Sequence, residues 1–385
     1  MKKELTVIKK TSDLDDLISR FSDSEFVAVD TEFIRETTYY PKLCLVQLSN
    51  GTEACCIDPL ASDIDLSSLF ALMENENICK VFHAGKQDME IFVYLTGKVP
   101  SPVYDTQIAA MVCGLGEQVG YDRLVSHFCN INLDKSSRFT NWAERPLSDR
   151  QISYAVDDVI YLADIYPQLR QKLATGGRDK WVEAEMRSFA DLSGYITDPD
   201  TAWKRLKPKS KKADFLTRLK YLAAWRETEA KKRNMPRGRI LRDDTLMDLA
   251  GSNPKNDNQL NKIRGFPKNQ NNPFRSEIIS VLGKAATDDS MMEVTASVRK
   301  DIKPPAATVE LLRVLLKHVA EQQDVASRLI ASAQQLDDLA TGNHLDHPCL
   351  SGWRHDIFGK QAMQLIDGKL ALSLSGNEIR LTETG

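Results

Sequence analysis

The sequence lacks a C-x-x-C pair and any apolar run approaching the about eighteen residues that a membrane-spanning helix needs. Its seven cysteines, Cys44, Cys55, Cys56, Cys79, Cys113, Cys129 and Cys349, are odd in number and lie mostly inside apolar runs. That pattern indicates neither a disulfide framework nor a zinc site, and buried, reduced side chains are expected. The six histidines are scattered; His344 and His347 form the one close pair, and without a soft ligand nearby they are expected in a surface loop. The start Met1-Lys2-Lys3-Glu4-Leu5 has no apolar stretch of the signal-peptide kind, so a cytoplasmic protein without a membrane partner is expected.

A strong net charge is missing too, at −3, but this balance hides a division. Residues 1–202 hold 20 Lys+Arg against 32 Asp+Glu, a net of −12; residues 203–242 hold 15 against 3, a net of +12; residues 243–385 hold 16 against 19. An acidic part followed by a basic segment fits a chain that carries bound cations in one region and grips a polyanion with another. A solvated basic helix and linker is the plainer alternative. At 385 residues and 42% hydrophobic, the chain is long enough for two or three cores.

From residue 26 to about 113 short apolar runs alternate with helical patterns. Phe26 to Val29, Leu43 to Leu48, Ala54 to Ile57 and Ile78 to Phe82 read as strands, and Leu66 to Met73 and Gln87 to Leu95 as helices, the latter ended by Gly97. Consecutive strands followed by β-α-β units predict a mixed sheet flanked by helices. The clearest helix begins at Ser148, where Ser148-Asp149-Arg150-Gln151 has the form of a capping box, and Pro167 is expected to end or kink it. Around residues 195–212 the composition turns to Asp, Pro, Lys and Ser, a linker or basic arm. A second gap, Asp288 to Thr308, separates two further helical stretches.

The residues that carry chemistry are carboxylates. Asp30 and Glu32 follow the buried run Phe26 to Val29 and share one face of the strand's end. Two like charges held that close need a cation between them. Asp88 opens the helix after Phe82-His83-Ala84-Gly85, and Asp158 lies one turn beyond Tyr154 on the Ser148 helix. Oxygen donors without Cys or His suit Mg²⁺ or Mn²⁺, and two such ions about 4 Å apart form the clamp used in phosphoryl transfer. Taken singly, each of these pieces is also an ordinary strand end or amphipathic helix face. Their conjunction and order are what point to a site.

The segments Phe26-Val27-Ala28-Val29-Asp30-Thr31-Glu32-Phe33, Val81-Phe82-His83-Ala84-Gly85-Lys86-Gln87-Asp88 and Tyr154-Ala155-Val156-Asp157-Asp158 resemble the three motifs of the DEDD superfamily of 3′-5′ exonucleases, in its tyrosine-containing branch. Val103-Tyr104-Asp105-Thr106-Gln107 resembles a connecting segment of that group. Tyr221-Leu222-Ala223-Ala224-Trp225-Arg226 and Asn234-Met235-Pro236-Arg237-Gly238-Arg239-Ile240-Leu241 resemble the HRDC helical domain, and the stretch around Leu350-Ser351-Gly352-Trp353-Arg354 resembles a more divergent copy of it. Over nearly its full length the chain resembles the bacterial ribonuclease D family.

The resemblance implies a ribonuclease H-like α/β exonuclease domain over 1–202, a first HRDC domain over 209–287 and a second over 300–378, both all-α. It implies that Asp30, Glu32, Asp88 and Asp158 bind two divalent cations, Mg²⁺ or Mn²⁺, and that Tyr154 orients the attacking water. A bare phenol, with a pKa near ~10, is a poor base at neutral pH, so the metal must supply most of the activation. Asp158 is preferred to Asp157 because the family spacing from the tyrosine is four. Asp105 is expected to cap a helix or support the ligands. The implied activity is exoribonucleolytic trimming of RNA 3′ ends, with precursor tRNA as the substrate class, 5′-monophosphates as products and no obligate protein partner. Phe33 is a candidate stacking residue, and Lys231, Lys232, Arg233 and Arg237 are candidate RNA contacts. A single-stranded DNA exonuclease of the same superfamily, and a non-catalytic RNA-binding module, remain the alternatives at this level.

Overall fold

The computed structural model describes residues 6–133, 140–269, 271–286, 288 and 304–384. Most of the gap expected at 288–308, and the expected domain edges at 287 and 300, lie outside the described residues. The chain divides into two compact units: Met1–Glu32, Cys44–Asp191 and Ile302–Gly385 form one, Phe33–Leu43 and Leu192–Asp301 the other.

The first unit is built on a six-stranded sheet in the order β1 (Val7–Ile8), β4 (Ala54–Ile57), β3 (Lys42–Ser49), β2 (Phe26–Ile34), β5 (Cys79–Phe82), β6 (Val103–Asp105). β3 and β4 are antiparallel, whereas β1 with β4, β2 with β5 and β5 with β6 are parallel, so the sheet is mixed as expected. Residues Leu43 to Ser49 of β3 are all buried, the mark of a central strand covered on both faces. One covering layer joins Ala28 and Val81 of the sheet to Val159, Leu162 and Ile165 of helix α6 (Asp149–Thr175). The other elements of this part are α1 (Thr11–Phe21), α2 (Ser67–Glu74), α3 (Lys86–Thr96), α4 (Thr106–Val112), α5 (Tyr121–Cys129) and α7 (Asp179–Phe189).

Four details depart from the pattern reading. The strand expected to stop at Val29 continues to Ile34, so Asp30 and Glu32 lie inside β2; a charged residue does not end a strand whose next positions still alternate. Helix α6 runs through Pro167 for two further turns, so of the two expected outcomes, an end or a kink, the end is ruled out. A proline inside a helix costs about 3 kcal/mol in a lost hydrogen bond and a clash, and the buried side chains of Leu162, Ile165, Tyr166, Leu169 and Leu173 on both sides of it offset that cost. The stretch expected as a linker contains a 3₁₀ helix, Pro199–Arg205, whose Ala202 is buried in the second unit's core with Trp203 against it. His347 is buried, not in a surface loop: its Nε2 stands 3.0 Å from Gln335 O, and its Nδ1 accepts from Cys349 N at 3.2 Å. All seven cysteines are free; five are buried, and Cys79 and Cys129 are partly buried.

Within the first unit, the C-terminal helical residues dock on α4 and α7. Arg178 donates to Val112 O and Asp324 O, both at 2.7 Å, and to Gln323 O. Trp181 and Trp353 stack with centroids 4.8 Å apart, and Glu185 accepts from Trp353 Nε1 and Arg354 Nη2. The chain closes with a hairpin, Leu370–Ser375 and Glu378–Glu383.

The second unit packs helices Ala213–Lys232, Asp243–Ser252 and Phe274–Ala285 around Leu219, Leu222, Leu246, Leu249, Ile278 and Leu282. The segment between β2 and β3 belongs to it. Tyr39 N and Tyr40 N donate to Asn234 Oδ1, and the Tyr39 hydroxyl donates to the buried carboxylate of Glu227. Among the described residues, no helix is long and apolar enough to cross a membrane.

Lys80, at the centre of β5, is fully buried. Its ammonium donates to Asn75 O and Ile78 O, each at 2.7 Å, and to Ser101 O, tying the strand to the turns around it; burial lowers its pKa to about 8. Lys80→Met should leave these carbonyls short of donors and lower unfolding stability by about 3 kcal/mol in urea titration. A change under about 0.5 kcal/mol would show that water or backbone replaces the amine.

Candidate active site

β2 supplies Asp30 and Glu32, α3 supplies Asp88 in its first turn, and α6 supplies Tyr154 and Asp158. Ligand oxygens of Asp30, Glu32 and Asp158 lie within 4.8 Å of one another, all partly buried. Asp157, the neighbouring choice, is outside this group. Burial raises the Asp30 carboxyl well above the ordinary carboxylate range, and the charges of Asp158, Asp88 and Glu32 push it further. Asp88 is buried and stands beside the trio rather than in the 4.8 Å group; its Oδ1 accepts from the Thr31 hydroxyl, and burial lifts its pKa to about 6.

The scaffold aims each of these groups. Ala84 has a left-handed φ of 54°, and a Cβ on Gly85 would meet Phe82 Cβ at 2.6 Å, so only glycine fits the turn into α3. Asp105 caps α4, accepting from Gln107 N and Ile108 N, and also accepts from Gly85 N at 2.8 Å. It therefore fixes the start of two helices, the supporting role expected of it. Ser148 and Gln151 form the expected capping box at the start of α6. Ahead of that helix, Arg145 makes a bidentate ion pair with buried Asp58 at 2.8 and 2.7 Å and donates to Cys44 O and Trp142 O. The Trp142 ring packs 6.0 Å from the Tyr154 ring, so this clamp backs the tyrosine one turn from Asp158.

Four carboxylates without thiolate or imidazole form a hard donor set. Their crowding is relieved only by protons or by a cation, so the residues fit a divalent ion of the Mg²⁺ or Mn²⁺ kind. A fully buried amide, Gln47, has neither its nitrogen nor its oxygen hydrogen-bonded among the described residues, and it lies in the strand beside β2.

A family described as 3′-5′ exonuclease matches residues 5–174, and the HRDC domain matches residues 215–282. Ribonuclease D of Zymomonas mobilis is 45% identical over 383 residues, covering 98% of this chain and 97% of that protein. Ribonuclease D of Sphingobium indicum is 44% identical over 382 residues, with 98% of each covered. The chain belongs to the ribonuclease D family. The crystal structure of Escherichia coli RNase D, an exoribonuclease involved in structured RNA processing, superposes with a TM-score of 0.81 at 27% identity, covering 95% of this chain and 99% of that one. The protein is thus a 3′-5′ exoribonuclease, its exonuclease fold and HRDC domain those expected from the motifs.

Several neighbours of the site carry no motif. The Tyr121 hydroxyl donates to Asp157 O at 3.0 Å, and its pKa is raised by burial and then by the charges of Asp158 and Asp30, which places the ring beside the carboxylates. Gln47 is the one polar residue within the apolar run Leu43 to Leu48, a signal the sequence carries; Trp142 and Arg145 carry none.

The expected RNA contacts are differently disposed. Phe33 follows Glu32 in β2 and is partly buried. Lys231 Nζ donates to Thr197 O at 2.5 Å, and Arg233 pairs with Glu229 at 2.7 Å while lying over the Phe274 ring. Arg237 holds buried Glu227 bidentately and lies 4.7 Å over the Tyr39 ring. Lys232 is the most exposed, 3.8 Å from Glu229.

His83, in the turn leading to Asp88, has Nδ1 3.0 Å from the Thr106 hydroxyl and its ring 5.5 Å from that of Tyr121. Burial lowers its pKa from 6.5 to about 4. The fold thus accepts the neutral ring, while the unfolded chain takes up a proton near the ordinary value. The stability His83 contributes is present above pH 6.5 and is lost as pH falls through about 4. Urea midpoints between those values should fall more for the wild type than for His83→Gln. Parallel profiles would remove His83 from the acid response.

Proposed function

We propose that this exoribonuclease trims the 3′ ends of precursor tRNA and other structured RNAs, using two divalent cations held by Asp30, Glu32, Asp88 and Asp158. The observation that carries the reading is the approach of Asp30, Glu32 and Asp158 oxygens to within 4.8 Å beside buried Asp88. When bound, the cations supply charge stabilisation at the scissile phosphate and activation of water. Asp30, inside β2 and acted on by all three other carboxylates, is the ligand suited to both ions.

The chain's own residues do the rest. The Tyr154 hydroxyl, backed by Trp142, accepts or donates one hydrogen bond to the attacking water and sets its line of approach. Water attacks phosphorus, the bond to the 3′-oxygen of the shortened RNA breaks, and the terminal nucleotide leaves as a nucleoside 5′-monophosphate. Access requires a single-stranded end, which stacking and backbone contacts hold with little sequence preference. The basic segment at 203–242, through exposed cations such as Lys232, is the proposed grip on the phosphate backbone, and the stretch 300–378 acts as a second, divergent HRDC copy.

The deciding assay sets 3′-extended tRNA, linear RNA and single-stranded DNA side by side, with and without EDTA. Asp30→Asn should reduce hydrolysis to background while leaving RNA binding intact, and retained turnover would overturn the site. Tyr154→Phe should lower kcat by roughly 10²-fold with metal binding unchanged, the scale of a positioned hydrogen-bonding group. Faster degradation of DNA than of 3′-extended tRNA would overturn the substrate class.

A further inference from the structure

Gln47 sits in β3 directly opposite Cys56 of the antiparallel partner β4. Directly opposed residues of such a pair project to the same face with Cβ atoms about 4.5–5.5 Å apart. Packing identifies that face: Ala54, two residues before Cys56 in β4, packs into the same cluster as Ala28 of β2 and helix α6, and Ala28 shares its side of β2 with Asp30 and Glu32. The next residue, Cys55, projects to the opposite face, as alternation along the strand requires. Strand order puts β3 between β4 and β2. Gln47 therefore lies on the carboxylate face, between Cys56 and the strand that bears Asp30 and Glu32.

The amide is 0% exposed, and neither Nε2 nor Oε1 has a hydrogen-bond partner among the described residues. Leaving a buried amide unpaired costs about 1–3 kcal/mol per group, and a leucine or methionine would fill the same space without that cost. A polar group retained there needs a partner that the protein alone does not provide. Complete burial argues against direct contact with a nucleotide, which enters from solvent. The polar groups on that side of the neighbouring strand β2 are the carboxylates of Asp30 and Glu32.

We propose that Gln47 is a positioning residue of the metal site: its amide N–H donates to the β2 carboxylates from behind, orienting them for a divalent cation. The role rests on the metal-site reading above. It explains why the amide has no partner among the described residues, because the carboxylates would take their final orientation only with an ion bound. Such supporting partners typically change metal affinity by 10–100-fold when removed.

The test is thermal melting during titration with MgCl₂ and, separately, MnCl₂, on the full chain of wild type, Gln47→Met and Asp30→Asn. Metal should raise the wild-type melting temperature and fail to do so in Asp30→Asn. In Gln47→Met the metal concentration giving half the shift should rise by about tenfold, with the metal-free melting temperature equal to or above wild type, because an unpaired polar group has been removed. Its kcat should recover toward wild type at saturating metal. Gln47→Leu, a filler of different shape, carries the same expectation should the methionine variant fail to fold. A variant midpoint within about twofold of a metal-responsive wild type would overturn the role of Gln47 while leaving the site intact. A raised KM for RNA with an unchanged metal midpoint would make it a substrate contact, which also overturns the proposal. A wild-type melt that ignores metal would instead overturn the site reading itself.

Discussion

The mutual repulsion of carboxylates gathered on one face of β2 is the constraint around which this molecule is arranged. Asp30, Glu32 and Asp158 bring oxygens within 4.8 Å of one another, and Asp88 adds its charge from the side. No folded chain gains stability from that grouping by itself, because burial and like charge both disfavour the ionised state. The grouping persists because the elements carrying it are fixed by interactions elsewhere: β2 by its place inside a mixed sheet, and α6 by a layer of apolar contacts along its length. The repulsion is what makes the site receptive to a hard cation.

Much of the polar structure near the site serves aim rather than chemistry. Asp105 spends one carboxylate on Gly85 N and the first turn of α4, so that the turn bearing His83, Ala84 and Gly85 delivers Asp88 at a defined angle. Arg145 draws together Asp58, the carbonyl of Cys44 and the carbonyl of Trp142, and so brings a buried indole against Tyr154. These groups link residues far apart in sequence through a few directed hydrogen bonds. A catalytic constellation needs placement to fractions of an ångström, and apolar packing alone does not supply such directionality.

The helical parts are integrated unequally. The C-terminal residues join the exonuclease part through Arg178, the stacked pair Trp181 and Trp353, and Glu185, contacts that mix aromatic area with charge-assisted hydrogen bonds. The HRDC-like unit takes in the segment 33–43 through Tyr39, Glu227 and Arg237. Its cationic surface is correspondingly reduced, since Arg233 and Arg237 neutralise buried glutamates. A count of charges along a sequence overstates what is offered to a polyanion whenever the acidic partners lie within a turn or two.

The alternation of Phe26 to Glu32, the capping box at Ser148 and the four-residue spacing from Tyr154 to Asp158 are local signals, and local physics suffices to interpret them: pleat, cap geometry and helical period. Strand order, and the choice of Asp158 over Asp157 as the carboxylate meeting Asp30, depend on how α6 lies against the sheet. Two places where the chain continues in regular structure past an expected break share one cause. Pro167 and the 199–205 stretch look like breaks by propensity, yet buried neighbours contributed from distant residues hold them in regular structure. Motif order, through the family resemblance it carries, pointed to the enzyme class and to the acidic candidates, because the resemblance lies in which residue types occur and at what spacing. Only the tertiary structure decided that Gln47, Tyr121, Trp142 and Arg145 belong near the site, because their proximity arises from strand pairing and helix packing across the chain, which no local pattern encodes.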